Sequence, residues 1–249
     1  KTVFLTLYFS MKKTVFLVLF CLVCAFAKAS YILLPMDAET QKEHLKAYGI
    51  TYWTLDQNMK VKWLLNYRGG SFLLPDTEDI RRECTIRGVT YEVLSDSATH
   101  QILTEISSPA QNMEAVILEK APKIAVYTPD SKVPWDDAVT MVLTYAEIPY
   151  KTIYDEAVLD DQLILYDWLH LHHEDFTGQY GKFYNAYRAA PWYIKEKKDA
   201  EALATKLGYS KVSEEKRDVA LKIRDYVVGG GFMFAMCSVD ACVDLTKTK

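Results

Sequence analysis

Cys237 is the residue whose type and setting point most directly to chemistry. It follows the apolar run Phe232 to Met236, which reads as a buried parallel strand, so its thiol stands where a strand gives way to the next element. Amides at the start of a following helix lower a thiol pKa and hold an oxyanion, and the thiolate is the nucleophilic form. The competing reading of Cys237 is a small buried hydrophobe at a strand end. A second cluster, His170-Leu171-His172-His173-Glu174-Asp175, uses three of the chain's five histidines. Strand alternation puts His170 and His172 on one face and His173 on the other. His172 and Glu174 are candidate acid/base partners of Cys237, while His170, His173, Asp175, Asp130 and Ser238 are candidate binding residues. Two imidazoles and a carboxylate are also zinc-ligand types, but no HExxH-type spacing is present, and neither a resident metal nor a cofactor is expected. A polar cluster that orders the following loop is the plainer reading of the same run.

These residues need elements to bring them together. From Lys123 onward, strands and helices alternate at the spacing of βαβ units. Predicted strands cover Ile124 to Tyr127, Tyr150 to Tyr154, Asp167 to His172 and Phe232 to Met236. Helices are predicted over Trp135 to Ala146, after the aromatic-rich stretch Tyr180 to Tyr193 as far as about Lys206, and from a Ser213 cap through Val219, Ile223, Tyr226 and Val227 to Gly229. The expected fold class is α/β: a flavodoxin-like parallel sheet with helices on both faces over residues 123–249. In such sheets ligands bind at the carboxyl ends of the strands. The ends of the first, third and fourth strands would then gather Asp130, His172 with its neighbours, and Cys237. Tyr180, Tyr184, Tyr187 and Tyr193 read as packing, with a lid or sugar-stacking surface as the alternative.

Residues 30–122 read as a separate α+β region. The predicted order is a strand Tyr31 to Leu34, a helix Ala38 to Tyr48, and a hairpin within Val61 to Leu74 turning at Gly69-Gly70. A helix Asp76 to Arg87 stopped by Gly88, a strand Thr90 to Leu94 and a helix Asp96 to Ile106 follow.

At the N-terminus, Lys12-Lys13 precede an apolar run from Val15 to Ala27, the pattern of a secretory signal. Met11 is the expected start, with cleavage after Ala27 or Ala29, so residues 1–29 are upstream sequence plus signal peptide. The product is expected to be exported, periplasmic or extracellular, with no stable membrane span after cleavage. Loss of Lys1, Lys12, Lys13 and Lys28 and of no acid takes the net charge from −4 to −8. An acidic chain without a basic stripe is a poor nucleic-acid partner. Cys84, Cys237 and Cys242 remain, an odd set that builds no disulfide framework.

The motifs Leu34-Pro35-Met36-Asp37-Ala38, Trp63-Leu64-Leu65-Asn66-Tyr67-Arg68-Gly69-Gly70, Pro134-Trp135-Asp136-Asp137-Ala138, Trp168 to Phe176 and Phe234-Ala235-Met236-Cys237-Ser238 together resemble an exported bacterial family commonly labelled asparagine synthetase B. That resemblance spans nearly all of residues 11–238. Residues 123–245, with Gly229 to Ser238, resemble the class I glutamine amidotransferase-like fold. This implies a nucleophilic role for Cys237 in amide hydrolysis, and a longer natural C-terminus carrying the family's His and Glu partners. The family label implies ATP-driven amidation, which needs an N-terminal cysteine and a Ser-Gly-Gly-x-Asp-Ser loop. The expected mature start is Ser30 and no such loop occurs, so that activity is not expected. The expectation is an exported amidotransferase-like α/β protein that binds a small or glycan-derived ligand and acts in its full-length form as an amide hydrolase. The alternative is a non-catalytic envelope binding or scaffold module.

Overall fold

The computed structural model describes residues 31–128, 138–171 and 180–235. They divide into two compact units, one up to Lys120 and one from Ala121 onward.

The first unit is built on an antiparallel sheet. Its strands are β1 (Tyr31–Leu34), β2 (Val61–Leu65), β3 (Phe72–Pro75), β4 (Glu92–Leu94) and β5 (Glu114–Leu118), in the order β4-β1-β3-β2-β5. Ile32, Leu33 and Leu34 of β1 are all fully buried. Successive strand residues point to opposite faces, so three in a row can be buried only if both faces are covered. Helix α1 (His44–Asp56) packs on β2 and β3, and α3 (Asp96–Ile106) packs on β4 and β5. Between them in sequence, α2 (Glu78–Arg87) packs against α1. Thr77 caps α2 by accepting from the Ile80 amide, and Gly88 ends it at φ 70°. Left-handed glycine at that position is the usual stop.

One expectation for this unit needs correcting, and one strand was not expected. The helix predicted over Ala38 to Tyr48 begins only at His44, because Asp37 uses its side chain to accept from the Thr40 amide and folds the preceding residues into a turn. Strand β5 carries no strong periodic signal, and pairing with β2, Val61 opposite Leu118 through Leu65 opposite Glu114, makes it a strand. The expected hairpin is present: Lys62 pairs with Leu73 and Trp63 with Phe72 across a loop of residues 66–71. Gly69 is required there, since at φ 78° a Cβ would lie 2.4 Å from the Met36 carbonyl oxygen.

The second unit is a parallel sheet with helices. Strands β6 (Ile124–Tyr127), β7 (Tyr150–Ile153), β8 (Trp168–Leu171) and β9 (Phe232–Ala235) lie in the order β7-β6-β8-β9, every neighbouring pair parallel. The connecting helices are α4 (Ala138–Tyr145), α5 (Asp155–Leu159), a 3₁₀ turn (Gln162–Leu165), α6 (Tyr180–Tyr187), α7 (Pro191–Lys206) and α8 (Val212–Val228). Ala125, Tyr127, Ile153, Leu169 and Leu171 form a core with Val158 of α5 and Val219, Ala220 and Ile223 of α8. Each fully buried aliphatic side chain contributes roughly 1.5–3 kcal/mol. Ser213 does not cap α8: the helix starts one residue earlier, with Lys211 at the cap position and no side-chain cap bond. Tyr154, expected as a strand residue, is the cap position of α5.

Among the described residues, no helix is long and apolar enough to cross a membrane.

Candidate functional site

Helix α8 positions the most unusual side chains of the second unit. Its buried residues are Val212, Glu215, Lys216, Val219, Ala220 and Ile223, a stripe at helical spacing. Two of these six are charged and sequence-adjacent, Glu215 at 1 % exposure and Lys216 at 4 %. Buried charges of this kind are held only where partners meet them.

The partners come from the carboxyl ends of two strands. Tyr127 is the last residue of β6, and Tyr154 and Asp155 directly follow β7. Asp155 is fully buried; Tyr127 donates its hydroxyl proton to Asp155 Oδ1, and Lys216 Nζ donates to Oδ2 of the same carboxylate. Lys216 Nζ also lies 3.2 Å from the Tyr127 hydroxyl and 3.1 Å from the Tyr154 hydroxyl. It sits 4.4 Å from the centre of the Tyr154 ring, a cation–π distance. The Tyr127 and Tyr154 rings are tilted against each other at 5.2 Å.

Electrostatics follow from this packing. Burial, and then the Asp155 charge, push the Tyr127 hydroxyl well above its ordinary value, and the same two causes raise Tyr154. Both phenols stay protonated donors. Glu215 is raised to about 7, first by burial, then by the neighbouring Asp155 charge and a hydrogen bond to the Asp155 side chain, against the pull of Lys216. Two carboxyl groups share a hydrogen bond only with a proton between them, and the upward shift puts that proton on Glu215. Its Oε1 is buried without a hydrogen-bond partner among the described residues.

Of the residues singled out from sequence, the structure describes His170. It lies on β8, 3 % exposed, with its ring stacked on Phe234 of β9 at 5.6 Å and edge-on to Trp168 at 6.4 Å. Asp130, His172, His173, Glu174, Asp175, Cys237 and Ser238 lie outside the described residues. The first residues of the helix predicted over Trp135 to Ala146, up to Asp137, also lie outside them. Among the described residues, no group of three or more His, Cys, Asp or Glu side chains is placed to hold a metal ion.

No family model, no curated protein and no solved structure matches the chain. The site therefore rests on its own geometry.

Sequence reasoning missed Asp155, Glu215, Lys216 and Tyr127. A signal for two of them existed: in the register set by Val219 and Ile223, Glu215 and Lys216 fall on the apolar stripe. Asp155 carried no such mark, because an acid at the first turn of a helix is ordinarily a dipole partner.

In α6 and α7, Tyr193 is buried and Tyr184, Tyr187 and Trp192 are about half exposed, while the Tyr180 side chain lies outside the described residues. Trp192 meets Tyr187 at 5.3 Å and Tyr193 at 5.9 Å, so these rings pack on one another.

Proposed function

We propose that the second unit is a flavodoxin-like, class I glutamine amidotransferase-like module of an exported protein, and that it binds a small polar or glycan-derived ligand at the carboxyl edge of its parallel sheet. The observation that carries this reading is the strand order. The chain winds from β6 outward to β7, then returns to place β8 on the other side of β6. Ligand crevices open at the carboxyl ends of strands where winding reverses. Tyr127 and Leu171, register partners, end the two strands at that reversal.

In this reading, the segments that leave β6, β8 and β9 bring Asp130, His172 with Glu174, and Cys237 to the ligand. The Cys237 thiolate adds to an amide carbonyl, the amine leaves with a proton from an acid such as His172, and water releases the acyl group from the thioester. The resemblance to the family labelled asparagine synthetase B supports an exported amide-directed protein, without the ATP-driven step. A second reading, a non-catalytic envelope binding or scaffold module, is favoured by one observation: Asp155 and Lys216, charged groups at the carboxyl edge, pair with each other.

The test has two parts. Alkylation of Cys237 is followed against pH in the mature chain carrying Cys242→Ser, and melting is followed with free amides and amino sugars. Fast modification with an apparent pKa well below ~8.5 supports the nucleophile, and slow modification leaves the binding module. Absence of any ligand-induced shift across the panel removes the binding reading as well.

A further inference from the structure

The cluster behind Tyr127 joins parts of the chain that are far apart in sequence. Lys216 meets Tyr127, Tyr154 and Asp155 across separations of 89, 62 and 61 residues. These contacts tie the first turns of α8 to the ends of β6 and β7. No side-chain cap secures the start of α8; besides the local bonds from Ser210 to Glu214 and from Tyr209 to Asp218, this cluster fastens it to the sheet.

The charge count makes the fastening conditional. Asp155 and Lys216 balance one another. With a proton, Glu215 is a neutral donor to Asp155 and the buried site is neutral overall. Without it, two carboxylates face one ammonium, and an oxygen of Glu215 that already lacks a partner among the described residues becomes part of a buried anion. Like charges sharing a buried site cannot both ionise cheaply.

Among the described residues packed around the site, none supplies a second cation to Asp155. Beside α8, α5 brings Asp155 and Glu156, and Glu156 pairs with Lys206 at the surface. Asp161, before the 3₁₀ turn, pairs with Lys222. From α7, Glu196 adds negative charge near Tyr154. Ahead of the helix, Tyr209 donates to Asp218 at 3.1 Å. The described neighbourhood is acidic, and among the described residues Lys216 is the cation that reaches Asp155.

We infer that Glu215, Asp155 and Lys216 form a proton-operated latch: the protonated state clamps the first turns of α8 onto the ends of β6 and β7, and proton loss releases them. The raised Glu215 carboxyl, titrating at about 7, puts the transition near neutral pH. Release loosens the wall of α8 and α5 beside the carboxyl edge. The latch operates whether or not Cys237 reacts and whatever ligand the edge takes.

Amide hydrogen exchange of the first turns of α8 in the whole chain tests this. Expressed as protection factors, which remove the intrinsic base dependence, the values should fall by up to about tenfold per pH unit as an opened Glu215 sheds its proton, and level off above about pH 7. Glu215→Gln, the neutral isostere, should abolish the slope, while Glu214→Gln on the same turn should retain it. A ¹³C titration of Glu215 in the unaltered protein gives the midpoint directly and needs no variant. A flat wild-type profile, an unchanged slope in Glu215→Gln, or a Glu215 midpoint in the ordinary carboxylate range would overturn the latch.

Discussion

Lys216 and Asp155 form an ion pair with side-chain exposures of 5 % and 1 %, joining the start of α8 to the residue that follows the cap of α5. A pair this deep is weak evidence of net stabilisation against a well-packed apolar replacement, but breaking one partner is costly. It fixes which residues must move together when α8 moves.

Replacing Lys216 by Met leaves Asp155 buried and unbalanced, and the expected loss is about 3–5 kcal/mol in the stability of the second unit. Adding Asp155→Asn, which keeps an acceptor for Tyr127 and removes the charge, should recover at least ~1 kcal/mol of that loss. Urea midpoints of the two single variants and the double variant check it. Simple addition of the two losses would mean the side chains do not act as a pair.

The Glu215 carboxyl is raised from 4.5 to about 7 in the folded chain. Below pH 4.5 it is protonated folded and unfolded, and its contribution is fully present. As pH climbs, the unfolded chain releases the proton first while the folded chain holds it, so stability is lost progressively up to about pH 7 and stays lost above. The total is on the order of 3 kcal/mol. The difference between wild type and Glu215→Gln isolates it, since other carboxyls contribute equally to both; equal pH profiles would refute the assignment.

At the turn between β2 and β3, Gly69→Ala should cost more than Gly70→Ala. Both glycines have positive φ, but a Cβ at Gly69 meets the Met36 backbone at 2.4 Å, whereas at Gly70 it meets only the Trp63 side chain at 3.4 Å. The left-handed conformation alone costs roughly 1–2 kcal/mol for alanine. Thermal melts of the two variants should therefore separate, with Gly69→Ala the lower, and a reversed order would contradict the close approach.

Burial pushes the Cys84 thiol up to about 12, and the residue is fully buried on α2. At pH 8 it should resist a thiol reagent in the native chain and react readily in urea. Rates measured before and after unfolding check this, and rapid native labelling would show that α2 opens easily.

Much of the backbone plan was legible in the residues. The runs Ile124 to Tyr127, Tyr150 to Ile153, Trp168 to Leu171 and Phe232 to Ala235 are short, apolar or alternating, and separated by helical stretches, so a parallel sheet follows from their spacing. The stop of the helix at Arg87 was marked by Gly88, and the helix Asp96–Ile106 was read with the bounds it has, whereas the start expected at Asp76 lies at Glu78, because Thr77 takes the cap position. Local rules fared worse at two helix starts: the Asp37 side chain competed with the backbone and delayed α1, and α8 began before Ser213 with no side-chain cap.

The site was less legible. Sequence could place Glu215 and Lys216 on the buried stripe of a helix, because that depends only on a repeat of 3.6 residues. It could not say that Asp155 and Tyr127 would meet them, because those contacts span 61 and 89 residues and exist only once β6, β7 and α8 are assembled. Composition and periodicity determined an α/β chain with an apolar run near its N-terminus and a net negative charge. Tertiary structure alone decided which charges lost their water together, and the low polarity of that shared space is what holds a proton on Glu215.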